Sequence, residues 1–233
     1  MAVGNYYLVT ALPTLGDLGS PPPIAPADLV DHLRGARARK LVETVLLSDD
    51  LLQRDATLAG EVQEPEPAVL LAAQVRDEEP LPPYLAEEEA AEGAGRAGPA
   101  TDAVWARYFR HAAKVADRHR SPFLQAWVAW EVGLRNALAE ARARSLDLDP
   151  EPYLVAPDLG DRDIDFSPLV SEWTEAENPL EGLRVLDRAR WRWLHAHEAH
   201  FSFADDELAA YAARLMLLVR WHRLEQAEKE APG

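Results

Sequence analysis

A run of histidines at residues 195–200 is the part of the sequence that comes nearest to a metal site. His195, His197 and His200 stand beside Glu198 near the end of a predicted helix. A zinc-protease helix places two histidines four residues apart, with a glutamate after the first, so that both rings meet one metal ion. Here His200 follows His197 after only three residues, and cations at the carboxyl end of a helix commonly offset its dipole. We therefore predict that the run holds no metal, and we expect no cofactor elsewhere.

A second group of polar residues interrupts an apolar helix pattern at residues 131–136. Glu131 and Arg135 are four residues apart, the spacing of a simple surface ion pair worth about 0.2–0.5 kcal/mol. They could instead belong to a buried network that packs against the helix predicted over residues 179–200, and we favour the network because tryptophans flank both segments. Its expected members are Glu131, Arg135, Asn136, Asp187, Arg188 and Arg190.

Arginines repeat every four residues along the same predicted helix, which places them on one face. A solvated stripe is the ordinary explanation for such a pattern. The alternative is a docking strip for an acidic partner surface or for the acidic segment of this chain. The candidate partner-binding residues are Arg184, Arg188 and Arg192.

Composition narrows the classes of function. The chain has 233 residues, no cysteine and a formal net charge of −16. A charge of this sign disfavours nucleic acid as a partner, because phosphate binding requires lysine and arginine to neutralise phosphates. It equally disfavours anionic lipid surfaces. The sequence shows no signal-peptide pattern and no apolar stretch of the ~20 residues that span a bilayer, so we expect a cytoplasmic protein without direct membrane insertion.

The elements that would position these side chains are helices. Amphipathic patterns and cap residues predict an all-α, multi-helix bundle. Residues 6–12 form a short apolar run that fits either a strand or the start of a helix. The helices are predicted near residues 26–58 (with a break near Gly35), 102–119, 121–145, 179–200 and 203–227.

The chain divides by composition into three parts that we expect to form one compact unit. Residues 1–60 are an N-terminal helical segment, and residues 101–233 are the body of the bundle. Between them, residues 61–100 hold ten acidic residues against Arg76 and Arg96, together with six prolines. This composition predicts a loosely structured connector with a short helix around residues 67–75.

Several segments together resemble a bacterial family of unknown function that is encoded in V-type (A/V-type) ATP synthase operons. They are NYYLVTALP at 5–13, LPPYL at 81–85, WE at 130–131, LRNAL at 134–138, ENPLE at 177–181, LDRARW at 186–191 and HFSF at 200–203. The similarity extends over essentially the whole chain, and its motifs are structural rather than catalytic. It implies a protein that stands in for the C (or d) subunit, the helical part that joins the central stalk to the proteolipid ring. That subunit is larger and has three similar bundles, whereas this chain shows no repeat.

Three hypotheses follow. The first is a non-catalytic subunit or assembly factor of a V-type ATP synthase, whose partners are the central stalk and the proteolipid ring and which lies at the inner membrane through them. The second is a stand-alone helical adaptor or regulatory protein. The third is an enzyme that uses Glu131, Arg135 and the histidines at 195–200, although we name no catalytic residue.

Overall fold

Nine α-helices account for most of the residues that the structure describes. The structure, a computed structural model, describes residues 5–86, 100–197 and 202–230. It is 68 % helical, and these ranges contain no strand. The helices are α1 (Tyr6–Ala11), α2 (Pro26–His32), α3 (Ala36–Leu58), α4 (Ala72–Val75), α5 (Ala100–His119), α6 (Pro122–Ser145), α7 (Ser167–Thr174), α8 (Pro179–His197) and α9 (Asp205–Glu230). The predicted fold class is confirmed.

The long helices begin where the cap residues predict. The Ser121 hydroxyl accepts a hydrogen bond from the Leu124 amide at 3.1 Å, and Pro122 occupies the first position of α6. Asn178 likewise accepts from the Glu181 amide at 2.9 Å at the start of α8. Each cap satisfies one of the backbone N–H groups that lack a partner in the first helical turn.

Residues 6–12 resolve as helix rather than strand. The segment is held by polar contacts at its two ends. The Asn5 amide donates to Asp205 Oδ1 at 2.5 Å, and the Tyr211 hydroxyl donates to the Pro13 carbonyl at 2.8 Å. A strand needs a neighbour to satisfy its backbone, and the described residues provide none. A short helix satisfies its own backbone, and α9 then fixes its position.

Helix α3 packs along α9, and this pair forms the centre of the molecule. Their facing side chains are almost fully buried. They include Leu41, Val45, Leu47, Leu51, Leu208, Leu215 and Leu218. No helix in the described part of the chain has an apolar stretch long enough to cross a membrane.

The first part of the acidic connector is packed against α3, contrary to the loose structure expected from its composition. The Asp50 carboxylate, which is 1 % exposed, accepts hydrogen bonds from the amides of Ala68, Val69 and Leu70 at 2.7–2.8 Å. Burial raises the pKa of Asp50 to about 6, although these three hydrogen bonds oppose the rise. The short helix of the connector is α4, and residues 87–99 lie outside the described residues.

Helix α7 was not predicted from the sequence, and it follows a polar, proline-containing connector. Residues 147–165 contain two short 3-10 turns, and the chain then packs Phe166 against α6. This contact requires a glycine at position 133, because a Cβ there would lie 2.7 Å from Phe166 Cε2. A glycine within a helical pattern signals a close approach by another segment, but the sequence does not say which segment.

Replacing Asp50 by asparagine tests the anchoring of the connector. An amide nitrogen would face backbone N–H donors, so at least one buried donor loses its acceptor. We expect the free energy of unfolding to fall by on the order of 3 kcal/mol, measured by urea denaturation. Asp31→Asn, at an exposed position of α2, is the matched control. Equal midpoints for the two variants would show that Asp50 does not hold the connector.

Candidate functional site

A cavity of about 470 Å³ opens between α3, α5, α6, α8 and α9. The buried rings of Trp105, Phe109 and Trp127 line it, and Glu131 and Arg190 are among its polar groups. A concave and largely apolar space of roughly 300–1,000 Å³ with a few convergent polar groups is the usual form of a binding site. We call it the central cavity.

The opening of the central cavity is surrounded by exposed apolar side chains. These are Leu52, Leu146, Leu148 and Tyr153, which are 38 %, 67 %, 45 % and 37 % exposed. We call these four residues the apolar rim. Large apolar side chains that cluster at the surface mark sites of interaction more often than isolated ones do.

The polar side of the cavity is an ion-pair network that begins at Glu131. Both Glu131 carboxylate oxygens bind the Arg190 guanidinium, at 2.8 and 3.1 Å. Arg190 Nη1 also donates to Asp187 Oδ1 at 3.1 Å, and Asp187 is fully buried. The predicted contact between residues 131–136 and α8 therefore exists at Glu131.

The same network continues into α9 and α3. Arg220 donates to Asp187 Oδ1 at 3.3 Å and to Asp49 Oδ1 at 3.4 Å. The second oxygen of Asp49 accepts from Arg223 at 3.0 Å. The network thus joins four helices, and it holds equal numbers of arginines and carboxylates. We call it the arginine network; its members are Asp49, Glu131, Asp187, Arg190, Arg220 and Arg223.

The carboxylates of the arginine network stabilise the charged form of Arg190. Burial alone would lower the pKa of Arg190, but the carboxylates of Glu131 and Asp187 outweigh burial and raise the pKa above its ordinary value. The second oxygen of Asp187 is buried and has no hydrogen-bond partner among the described residues. One oxygen of Asp187 thus already lacks a partner. Loss of Arg190 or Arg220 would leave the buried charge with a single ion pair, which is energetically unfavourable.

Arg135 and Asn136 do not contact α8, contrary to the prediction. Arg135 donates to Asp102 Oδ1 at 3.1 Å, and its guanidinium lies 4.6 Å from the centroid of the Trp105 ring. Asn136 forms a reciprocal pair of hydrogen bonds with the backbone of Val155, at 2.8 and 3.0 Å. Arg135 lies one turn after Glu131 on nearly the same side of α6, but its neighbours there are Asp102 and Trp105 of α5. Asn136 faces the loop that contains Val155.

The three arginines of the candidate docking strip have different surroundings. Arg184 binds Glu181 at 2.6 Å and Glu228 at 2.5 Å, so its charge is compensated. Arg188 and Arg192 are exposed and have no ion pair with any described carboxylate. Arg188 therefore does not join the network in which it was expected, and the accessible part of the strip is the pair Arg188 and Arg192.

The histidines near the end of α8 stack on tryptophans. The His197 ring lies parallel to Trp193 at 3.9 Å, and His195 stacks on Trp191 at 6.5 Å. No group of three potential metal ligands occurs among the described residues. His200 and Glu198 lie outside those residues, so the predicted absence of a metal remains a prediction.

The tryptophans at the interface of α6 and α8 form one cluster. Trp193 lies 5.2 Å from Trp127 and 5.8 Å from Trp130, measured between ring centroids. Trp127 and Trp130 are buried, as is Trp105 on α5, whereas the other four of the seven tryptophans are partly exposed. The cluster and the arginine network together fix α8 against α6.

The central cavity can accommodate a ligand, and its carboxylates already form ion pairs. Both oxygens of Glu131 accept from Arg190, and Asp102 accepts from Arg135.

Sequence reasoning missed Asp49, Arg220 and Arg223. Arg220 could have been noticed, because its charge interrupts the apolar run 215–221.

No family model, curated protein or solved structure matches the chain.

A substitution of Arg190 tests the arginine network. Arg190→Met keeps much of the side-chain volume but leaves the partly buried Glu131 without its ion-pair partner and the buried Asp187 with Arg220 alone. We expect a loss of about 3–5 kcal/mol in the free energy of unfolding, measured by urea denaturation. Arg188→Met, two residues earlier on the exposed side of α8, should leave the midpoint nearly unchanged. Similar midpoints for both variants would mean that the network contributes no net stabilisation.

The metal prediction has a direct test. We expect the protein, purified without added metal, to contain zinc far below one equivalent per chain by inductively coupled plasma mass spectrometry, because the histidine spacing does not suit a shared ion. Stoichiometric zinc that is lost in His197→Ala would overturn the prediction, and Arg192→Ala serves as a control on the same helix.

Proposed function

We propose that this chain is a non-catalytic subunit or assembly factor of a V-type ATP synthase, analogous to the C (or d) subunit that links the central stalk to the proteolipid ring. It would act in the cytoplasm, at the inner membrane through its partner subunits. The sequence resemblance carries the proposal. Structural observations support it in three ways.

Three of the segments that carry the resemblance contain residues that hold the helices together. Segment 5–13 is tied to α9 by Asn5, and segment 186–191 contributes Asp187 and Arg190 to the arginine network. Segment 81–85 ends in Leu85, which is fully buried. Residues that determine a fold in this way are the ones that a shared architecture would retain.

A part that joins a stalk to a ring must transmit force without deforming. The arginine network and the tryptophan cluster join α3, α6, α8 and α9 through buried contacts. Close-packed interiors of this kind transmit strain rather than absorb it. A rigid helical body is therefore consistent with a mechanical role.

The surface offers two chemically different docking areas. The apolar rim around the central cavity suits an apolar segment of a protein partner, and we assign it to the central stalk. The exposed pair Arg188 and Arg192 suits acidic or polar groups, and we assign it to the polar loops of the ring. A linker between two partners needs two such areas.

The enzyme hypothesis finds less support in the geometry. Glu131 and Arg135 do not form a pair with each other, since each binds a different partner. A general base must reach the proton that it removes, and both oxygens of Glu131 are already engaged by Arg190. The stand-alone adaptor differs from the proposal only in its partners, so the same experiment separates them.

The test is co-purification of a tagged, full-length chain from its native host, with the retained proteins identified by mass spectrometry. We expect central-stalk and proteolipid-ring subunits. Leu146→Asp with Leu148→Asp should remove stalk subunits from the retained set, because two charges would face an apolar partner. Arg188→Glu with Arg192→Glu should instead weaken retention of the ring.

Two controls separate specific effects from general ones. Leu71→Asp places a charge at another exposed leucine, and Arg34→Glu reverses another exposed arginine. Both should behave as wild type, and helicity by circular dichroism should be equal throughout. If the wild-type chain retains no subunit of a V-type ATPase, the proposal is wrong.

A further inference from the structure

We propose that a cleft between α3 and α5 binds a small ligand that carries several phosphate groups. The cleft has a volume of about 590 Å³ and is separate from the central cavity. Its charged residues are Lys40, Lys114 and Arg118, and Tyr84 and His111 complete its aromatic side. None of its lining residues is acidic within the described ranges 5–86, 100–197 and 202–230. We call it the basic cleft.

The cations of the basic cleft are not compensated by any carboxylate in the described part of the chain. Lys40, Lys114 and Arg118 form no ion pair with any described carboxylate, although the chain carries a net charge of −16. Most other arginines near the core are paired, as in the arginine network. Like charges that share one concave surface repel each other, and an anion between them removes that repulsion.

The acidic residue next to Lys40 on α3 does not neutralise the cleft. Glu43 lies one turn after Lys40 on α3, but its carboxylate is paired with Arg39 at 3.5 Å. Lys40 instead lies over the Tyr84 ring, with Nζ 5.4 Å from the ring centroid. Its ammonium group therefore remains available to a ligand.

His111 supplies a second, independent sign of a ligand. Its ring is stacked on Tyr84 at 4.2 Å with an interplanar angle of 20°, which fixes its orientation. Its Nε2 atom is buried and has no hydrogen-bond partner among the described residues. A buried polar atom without a partner costs free energy, and an anionic oxygen in the cleft would accept a hydrogen bond from it.

The surroundings of His111 report a positive potential in the cleft. Burial, and after it the charges of Lys40, Lys114 and Arg118, lower the pKa of His111 to about 4. The free ring is therefore neutral at physiological pH. One of its nitrogens then carries a proton, and this proton can be donated without any change in charge.

The helix dipole explains only part of the cluster. Arg118 and His119 lie in the last turn of α5, where cations are favourable. Lys114 lies more than one turn earlier, beyond the reach of that effect, and Lys40 belongs to α3. Cations from α3 and α5 thus meet at one site where no described carboxylate offsets them, and a bound anionic ligand would explain this arrangement.

The chemistry of the cleft favours phosphate groups over an acidic peptide. Lysine is a regular phosphate ligand, acting as a point charge. Several cations in one compact concavity suit a ligand with several charges close together. An extended acidic peptide spaces its carboxylates along a backbone and would need a longer groove than one bounded by α3, α5 and Tyr84.

The first experiment is calorimetric titration of the full-length chain with sodium tripolyphosphate at low ionic strength. We expect one saturable site per chain. Lys40→Gln with Lys114→Gln should weaken binding by about tenfold or more, because each removes a charge-assisted contact. Arg162→Gln with Lys229→Gln removes two exposed charges elsewhere and should bind as wild type. Equal weakening in both double variants would show non-specific attraction and overturn the proposal.

The second experiment uses His111 as a local reporter. At pH 7, tripolyphosphate should shift the imidazole nitrogen resonances of His111, because an anion would now accept from Nε2. His111→Phe retains a ring against Tyr84 but lacks the donor, so it should bind several-fold more weakly at an unchanged melting temperature. Binding that leaves the His111 resonances unmoved would place the anion elsewhere. Tighter binding of hexaglutamate than of tripolyphosphate would exclude a phosphate site.

Discussion

The arrangement of the long helices depends on the buried carboxylate of Asp187. This fully buried group sits on α8 and accepts from Arg190 and from Arg220 of α9. Replacing such ion pairs by apolar groups often leaves stability unchanged or improved, whereas removing one partner is strongly unfavourable. The network therefore selects one register among α3, α6, α8 and α9, since any slip would separate a buried charge from its partner.

The remainder of the architecture follows from that register. With α8 fixed, Trp193 packs against both Trp127 and Trp130, and aromatic packing completes the interface with α6. One turn after Glu131 on α6, Arg135 covers Trp105 of α5. The central cavity lies between these two aromatic groups. The arginine network lines its polar side, and its apolar rim faces outward.

Local sequence patterns predicted the helices well and the partners of their side chains poorly. Ser121 and Asn178 act within one turn of themselves, so spacing alone identifies them as caps. Arg135 and Asn136 could not be assigned in the same way, because the rotation of α6 decides which neighbour each one faces. Asp50 is the clearest case. An acidic residue within a helix suggests an exposed face, yet it binds three amides about twenty residues further along the chain.

Helix α3 contributes residues to three of the features on which the functional proposals depend. Lys40 lies in the basic cleft, Asp49 belongs to the arginine network, and Leu52 is part of the apolar rim. At 1.5 Å per residue, Lys40 and Leu52 are roughly 18 Å apart along the helix axis. Asp49 and Asp50 hold the helix between those points through buried contacts. A ligand in the basic cleft and a partner at the apolar rim would therefore both contact α3, and α5 also joins the cleft to the central cavity.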